Sequence, residues 1–426
     1  MSPLTSARAG CSSLPRDADR SARIALITLT AINLLNYLDR YLIAGIVAPL
    51  KEHFGARDAD IGLLTSVFLL VYMCASPVFG LLARTMSRTM LLGTGVIIWS
   101  IATIGSGLVN TLTQLLIARA LVGVGEAAYA TVGPALLADH YRPAKRAAML
   151  SIFYAAIPVG TALSYIASGL ISGVWGWRAV FLAGGIPGMF LGVLCVWLRD
   201  PPRGQFDDAQ PTARSTDARA SAARLRESIA FLWRSRDFLV ATSGYALFTF
   251  AFGALAVWMP YFLQSVRGWS EGASTTLFGI VIVSTGFAGT LGGGFIAKRL
   301  GGESHTSMRI CTICMLIAAP AAFVALVSTT DWIIVAALIV SSTFSFATQG
   351  PVNAVIINSV GSSLRALAIG ASVLVIHLLG DVPSPWIVGT ISQSTSASGG
   401  GLGLGLTVVP AAMLLAAVAW SFGWRR

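Results

Sequence analysis

Long apolar stretches recur along the whole chain and are separated by short polar segments. An α-helix of about 20 apolar residues crosses the hydrocarbon core of a bilayer, so each stretch is long enough to span a membrane. The pattern predicts twelve spanning helices, with the limits 24–49, 60–82, 90–109, 112–138, 147–172, 178–198, 238–264, 273–297, 308–328, 331–357, 366–390 and 402–423.

The composition supports this interpretation. Hydrophobic residues make up 55% of the chain and charged residues only 11%, whereas about 25% of the residues in a soluble protein are charged. We therefore expect an all-α integral membrane protein rather than a soluble protein with one buried core.

The distribution of positive charge predicts the orientation. A net charge of +11 could indicate nucleic-acid binding. However, if both termini are cytoplasmic, 23 of the 29 Lys and Arg residues lie in cytoplasmic segments, two lie within spans and four lie on the opposite side: Lys51, Arg57, Arg178 and Arg267. This bias is typical of membrane proteins. It predicts a multi-pass protein of the cell membrane with both termini in the cytoplasm, and no nucleic-acid partner.

A polar segment divides the spans into two groups of six. Residues 199–237 contain eight arginines and five aspartates. We predict a cytoplasmic tail (1–23), two six-helix bundles (24–198 and 238–423), a cytoplasmic linker (199–237) and a short cytoplasmic C-terminus (424–426). Gly80-Leu-Leu-Ala-Arg84 and Gly294-Phe-Ile-Ala-Lys298 form a weak repeat, 214 residues apart. Two parallel six-helix repeats are the layout of the pseudo-symmetric major facilitator fold, which binds substrate between its halves.

The first and fourth predicted spans carry four charged residues within long apolar runs: Asp39, Arg40, Arg119 and Glu126. A charge at the centre of a bilayer costs at least about 2.5 kcal/mol, so such a residue usually faces an interior cavity and has a function there. The four intramembrane charges therefore indicate that this membrane protein is a transporter.

Arg119 and Glu126 are seven residues apart, almost two helical turns, and so project from one face. Apolar burial favours the neutral form of a glutamic acid, and a nearby arginine favours the charged form. Glu126 could therefore change its protonation as water access changes, as a proton-coupled carrier requires. Alternatively, the two residues form a static buried ion pair.

Asp39 and Arg40 are adjacent and point about 100° apart, so they should face different partners. Asp39 is a second candidate proton site. Arg40 is a candidate to pair with a carboxylate in the cavity or to bind an anionic head group, since its planar guanidinium can donate two parallel hydrogen bonds. Alternatively, both residues hold helices together through ion pairs.

His377 and Asp381 lie one turn apart in the eleventh span, just before two prolines that must bend or break the helix, Pro383 and Pro385. Histidine titrates near neutral pH, so this pair is a candidate proton relay. It could equally cap the broken helix.

Further candidates for the substrate site are polar and aromatic residues within the spans. Thr249 and Trp258 belong to the seventh span, where Trp258 forms either part of an interfacial belt or an apolar wall for a lipid tail. Asn353 either binds a head group or bonds to a neighbouring helix, and the role of Tyr129 is similarly open.

The sequence shows no nucleophile–base constellation, metal-ligand cluster or phosphate-binding loop. We therefore expect neither an enzyme nor a bound cofactor or metal. Transport would use an ion gradient or run downhill.

Several segments resemble the spinster-like branch of the major facilitator superfamily. They include NYLDRYLIAG in the first span, RALVGVGEAAYATVGPALLAD in the fourth, FTFAFGALAVWMPYFL in the seventh and IHLLGDVPSP in the eleventh. The similarity extends over nearly all of residues 24–423. It implies a transporter of lysolipids, such as lysophospholipids or sphingosine-1-phosphate, with proton coupling in some members. It places the family's first-span acid and arginine on Asp39 and Arg40, and its fourth-span pair on Arg119 and Glu126.

The loop after the second span departs from the superfamily pattern. Gly80 and Arg88 match it, but Arg84 stands where the pattern has an aspartate, and Lys298 stands at the equivalent position of the second half. That aspartate usually helps to hold the cytoplasmic gate shut. We therefore expect an altered gate at these four residues and a less stable outward-facing state.

These observations predict a monomeric, proton-coupled rocker-switch transporter of an amphiphilic lysolipid. Arg119, alone or together with Arg40, would hold the anionic head group, while Glu126 and Asp39 exchange protons. The alternative is a proton-coupled carrier of soluble organic anions or drugs. A membrane-embedded enzyme or an inactive scaffold is less consistent with the sequence, because unpaired intramembrane acids are costly to retain without a use.

Overall fold

The computed structural model describes residues 16–83, 85–206, 226–227, 229–301, 303–360, 364–396 and 401–424. Twelve helical segments of the described chain are long and apolar enough to cross a membrane, as the sequence predicts. The helices are α1 (Arg16–Tyr41), α2 (Val47–Phe54), α3 (Asp58–Leu82), α4 (Arg88–Ser106), α5 (Leu112–Asp139), α6 (Pro143–Trp175), α7 (Trp177–Val196), α8 (Arg236–Ser265), α9 (Glu271–Arg299), α10 (Ser304–Val327), α11 (Asp331–Ala347), α12 (Gln349–Asn358), α13 (Arg365–Ile376), α14 (Ser384–Thr395), α15 (Gly401–Leu406) and α16 (Val408–Ser421).

Four of the predicted continuous helices are interrupted. The first span ends in a 3₁₀ turn at Leu42–Gly45, the tenth breaks after Ala347, the eleventh contains a π-helical turn at His377–Asp381, and the twelfth breaks after Leu406. A proline follows each of these points by four residues: Pro49, Pro351, Pro385 and Pro410. Proline has no N–H to donate to the carbonyl four residues before it, so the α-helical ladder is weakest there. The sequence interpretation anticipated only the eleventh-span break.

The helices form two halves, α1–α7 and α8–α16. We call the end of the bundle where α7 and α8 are connected the linker face, and the opposite end the distal face. A continuous apolar cluster joins the halves towards the distal face, with Val47 and Ile61 from the first half and Phe262, Phe278 and Val388 from the second. The halves are therefore in contact at the distal face.

Glycines allow the backbones of the two halves to approach each other at this distal contact. A Cβ atom on Gly62 would lie 2.3 Å from the Pro385 carbonyl oxygen, and one on Gly389 would lie 2.4 Å from the Asp58 carbonyl oxygen. On the other side of the bundle, a Cβ on Gly169 would lie 2.0 Å from Thr275 Oγ1. Since the neighbours of Gly62 and Gly389 are backbone atoms, a side chain at either position would push the halves apart.

A polar cluster, the distal latch, closes the same end. Lys51 Nζ lies 2.5 Å from Asp58 Oδ1 and donates to the Tyr261 hydroxyl at 2.9 Å. Ser392 Oγ donates to the other oxygen of Asp58. Lys51 and Asp58 belong to the first half, and Tyr261 and Ser392 to the second. The latch therefore links the halves directly.

Lys51 of the distal latch stays charged near neutral pH. Burial opposes the charge of Lys51, but its hydrogen bonds to Asp58 and Tyr261 prevail and raise the pKa of the ammonium group. A raised lysine pKa contributes stability that is present at lower pH and is lost only as the pH rises through that pKa. Lys51 is therefore not a candidate for proton exchange near neutral pH.

At the linker face, Arg88 is buried in a charged network. Its guanidinium lies 2.5 Å from Asp139 Oδ2 and 2.7 Å from Asp200 Oδ1, and it donates to the Pro201 carbonyl. Arg88 thus ties α4 and α5 to the start of the linker, within the first half. Of the other predicted gate residues, Lys298 is exposed in the last turn of α9, Gly80 packs near Thr131, and Arg84 lies outside the described residues.

We expect Arg88→Ala to destabilise the protein by about 3–5 kcal/mol, because it leaves two partly buried carboxylates without a counter-charge. Thermal unfolding in detergent measures this effect. Arg57→Ala is the matched control, since Arg57 forms an exposed pair with Asp60, and such pairs contribute at most about 1 kcal/mol. Equal stability of the two variants would show that the Arg88 network does not hold the linker face together.

Candidate functional site

The four charged residues of the first and fourth spans form two ion pairs between α1 and α5. Arg119 Nη1 lies 3.6 Å from Asp39 Oδ2, and Arg40 Nη2 donates to Glu126 Oε2 at 3.0 Å. The side chains of Asp39, Arg119 and Glu126 are at most 1% exposed, and that of Arg40 is 11% exposed. Asp39 and Arg40 thus face different partners, as their adjacency predicts, and Arg119 and Glu126 each pair with α1.

This charged cluster is only partly hydrogen-bonded. Thr103 Oγ1 donates to Asp39 Oδ1 at 3.0 Å. Five other buried polar atoms have no hydrogen-bond partner among the described residues: Asp39 Oδ2, Arg40 Nε, Arg119 Nε and Nη1, and Glu126 Oε1. Leaving buried donors and acceptors unsatisfied is costly, and most such atoms in proteins have partners. The cluster therefore has unused hydrogen-bond donors and acceptors that could bind water, protons or a ligand.

Aromatic rings surround the two guanidinium groups. The Arg40 guanidinium carbon lies 4.9 Å from the ring centre of Tyr37 and 5.0 Å from that of Tyr72. Phe68 lies between the arginines, 5.5 Å from Arg40 and 4.8 Å from Arg119. Cation–π contacts stabilise a guanidinium through the ring face and leave its N–H donors available.

The sequence interpretation missed these aromatic residues. Phe68 and Tyr72 are separated by one turn of α3, so they project from the same face. That spacing predicts an aromatic face on α3. Only the close packing of α3 on α5 in the structure shows that this face meets the arginines. A Cβ on Gly123 would lie 2.6 Å from the Phe68 carbonyl oxygen, so this glycine sets how closely the two helices approach.

A small cavity of about 60 Å³ lies where Arg40 meets the second half. Its walls come from both halves: Arg40, Tyr41, Thr65, Phe68 and Leu69 from the first, and Thr249, Phe252, Gly253, Val257, Asp381 and Pro385 from the second. The cavity is large enough for water but far too small for a lipid. A large substrate could occupy this place only after the halves separate.

Asp381 lines this cavity from the second half, and His377 lies one helical turn before it on the π-helical turn His377–Asp381. His377 Nδ1 lies 2.9 Å from both carboxylate oxygens of Asp381. Both side chains are partly exposed, 28% and 22%, and the π-helical turn that carries them packs against α8. Thr249 Oγ1 fixes this contact by donating to the Ile376 carbonyl at 2.8 Å. The π-helical turn therefore holds an imidazole against a carboxylate that lines the cavity between the halves.

The remaining substrate-site candidates lie elsewhere. Tyr129 is buried in the core of the first half and donates to the Leu29 carbonyl at 2.6 Å. Trp258 is fully buried and donates from Nε1 to the Pro385 carbonyl at 2.9 Å. Their polar atoms are occupied by backbone carbonyls, and neither residue lines the cavity in this conformation. Asn353 is exposed; its Nδ2 donates to the Gln349 carbonyl at 2.8 Å and lies 3.5 Å from the Tyr245 hydroxyl.

Comparison with known families and proteins identifies the architecture. The family model of the Major Facilitator Superfamily matches residues 29–385. Protein spinster homolog 3 of Danio rerio is 32% identical over 405 residues, which cover 89% of this chain and 78% of the relative. Protein spinster homolog 1 of Homo sapiens is 33% identical over 408 residues, covering 88% and 73%. The sphingosine-1-phosphate transporter of Mus musculus is 31% identical over 388 residues, covering 86% and 70%.

Solved structures show the same fold. A bacterial homolog of the human lysosomal transporter Spinster, in an inward-facing and unoccupied conformation, superposes with a TM-score of 0.84 at 22% identity, over 95% of this chain and 97% of that one. A D-xylose–proton symporter gives a TM-score of 0.74 at 16% identity, over 95% and 97%. This chain is therefore a twelve-span membrane protein of the spinster family within the major facilitator superfamily, a transporter and not an enzyme.

Proposed function

We propose that this transporter carries an amphiphilic lysolipid with an anionic head group and couples its movement to protons. The observation that carries the proposal is the buried Arg40–Glu126 pair beside the cavity between the halves. In this pair a guanidinium that can bind an anionic head group is in direct contact with a carboxylate that can take up a proton. A relative with 31% identity is named as a sphingosine-1-phosphate transporter, which supports a phosphate-bearing amphiphile as the substrate.

Arg40 is the proposed head-group ligand. It lines the cavity, and its Nε has no partner among the described groups. A guanidinium matches phosphate oxygens through two parallel hydrogen bonds. Arg119 lies deeper and would add positive charge behind it. Phe68, Leu69, Phe252 and Val257 form the apolar part of the cavity wall and would meet the start of the lipid tail once the halves open.

Proton coupling follows from competition for Arg40. A bound phosphate and the Glu126 carboxylate would share the same guanidinium. A carboxylate that loses its counter-charge in an apolar site takes up a proton, because an unpaired buried charge is more costly. Asp39, held by Arg119 and Thr103, is the second proposed proton site in this half, and Asp381 with His377 is the site in the other half.

The proposed orientation places the linker face, the N-terminus and the C-terminus in the cytoplasm of a cell, with the protein in the cell membrane as a monomer. The positive-inside bias of the Lys and Arg residues supports this orientation. The contact at the distal face then corresponds to a carrier closed towards the outside.

Uptake into proteoliposomes tests the proposal. A fluorescent lysolipid and a soluble organic anion would each be offered to wild-type vesicles, with and without an imposed pH gradient, and empty liposomes would give the spontaneous background. We expect saturable lysolipid uptake that a pH gradient accelerates. If only the soluble anion is transported, the substrate is a soluble organic anion and not a lysolipid. If lysolipid is transported at a rate that does not depend on the pH gradient, the carrier is not coupled to protons.

A further inference from the structure

A second pocket lies on the outside of the bundle at the linker face, away from the cavity between the halves. It has a volume of about 240 Å³ and lies between the start of α1 and the end of α7. Its lining residues are Arg20, Ser21, Ile24, Trp197, Leu198 and Arg199. We propose that this pocket binds the head group of an anionic phospholipid of the surrounding bilayer.

The surroundings of the pocket place it at the edge of the membrane. Trp197 is 80% exposed and Ile24 is 42% exposed, and both belong to membrane-spanning helices or their immediate ends. An exposed tryptophan at the end of a spanning helix lies at the level of the lipid head groups, with its ring against the acyl chains. Arg20 lies about one helical turn before Ile24 on α1, and Arg199 lies two residues beyond Trp197, so both arginines are further than these apolar residues towards the linker face. This order of groups, apolar and then cationic, matches a phospholipid standing in the leaflet.

The charge of the pocket selects a negatively charged lipid. Arg20 comes from α1 and Arg199 from the end of α7, and no acidic residue lines the pocket. Among the described residues, the nearest acids along the chain are paired elsewhere: Asp19 with Arg23 at 2.8 Å, and Asp200 with Arg88 at 2.7 Å. Neither pocket arginine has an ion pair among the described residues. Two guanidinium groups facing one space suit a phosphodiester with a second anionic or hydroxyl group.

Native mass spectrometry of the purified full chain tests this site. Phosphatidylglycerol and phosphatidylcholine with identical acyl chains are titrated separately, and the apparent affinity of the first bound lipid is measured. We expect wild type to prefer phosphatidylglycerol, and the double variant Arg20→Gln/Arg199→Gln to bind it about tenfold more weakly, which is a change of about 1.4 kcal/mol. Binding of phosphatidylcholine should not change.

Arg226→Gln/Arg234→Gln is the matched control, because it removes two exposed arginines near the same face but outside the pocket. An equal loss in the control, or no preference in wild type, would overturn the proposal, since the attraction would then be general to the basic face. Arg199→Lys guards against misfolding of the double variant. It keeps the charge but loses the planar fork, so it should fold like wild type and still bind phosphatidylglycerol more weakly.

Discussion

Glu126→Gln should abolish the acceleration of lysolipid uptake by a pH gradient while leaving a folded carrier. Glutamine has nearly the same shape as glutamate and can still accept a hydrogen bond from Arg40 through its amide oxygen. It cannot bind or release a proton. If Glu126 is the group that exchanges protons as Arg40 engages the substrate, uptake by the variant should fall to the rate that wild type shows without a gradient.

The comparison needs a control that changes a glutamate without touching the charged cluster. Glu52→Gln serves, because Glu52 is exposed on the short helix α2 at the distal face. Both variants would be reconstituted at equal amounts and measured with and without the gradient. Gradient-driven uptake that survives in Glu126→Gln would contradict the proton role and leave the Arg40–Glu126 pair as a structural contact. Asp39→Asn, tested alongside, separates the two proposed proton sites of the first half.

Gly62→Val should prevent closure of the distal face and reduce transport severely. The Cβ of any larger residue would lie 2.3 Å from the Pro385 carbonyl oxygen and 2.6 Å from its carbon. Both atoms are backbone, so no side chain can rotate away to make room. The halves must separate at this point, and a carrier that cannot close one end cannot complete alternating access.

Double electron–electron resonance measures this opening directly. Spin labels at Glu52 and Thr329, both exposed at the distal end of different halves, would be placed in a chain whose five native cysteines are replaced. We expect a longer and broader distance distribution in Gly62→Val than in the labelled parent. Gly105→Val is the matched control, since a Cβ on Gly105 meets nothing within 4 Å. Identical distributions in all three proteins would show that the contact between the halves at the distal face tolerates a side chain at residue 62 and does not depend on glycine.

The sequence predicted the parts of this molecule that depend on local pattern. The twelve spans could be predicted from the apolar stretches alone. Any helix that crosses a bilayer needs a continuous apolar stretch, whichever helices it packs against in the fold. Asp39, Arg40, Arg119 and Glu126 were recognisable for the same reason. The break before Pro385 follows from the missing N–H of proline.

The sequence could not predict which groups pair, because pairing depends on how helices distant in the chain are aligned. Arg119 could have paired with Glu126 on its own helix, but the packing of α1 and α5 gives it Asp39 instead. No sequence pattern assigns partners to Lys51 and Asp58, yet they meet Tyr261 and Ser392 across the halves. Tyr129 and Trp258 are residue types that often bind ligands. In the structure each donates its hydrogen bond to a backbone carbonyl, and no sequence pattern reveals those partners.

The pairing of the four charges also has an electrical consequence. Asp39 and Glu126 together cancel Arg40 and Arg119, so the empty site has no net charge while all four are ionised. Moving one elementary charge through about 100 mV costs or yields about 2.3 kcal/mol. A site with no net charge is not subject to that force, so the return of the empty carrier should be insensitive to membrane voltage. Only the balance between substrate charge and protons bound would determine whether a full turnover produces a current.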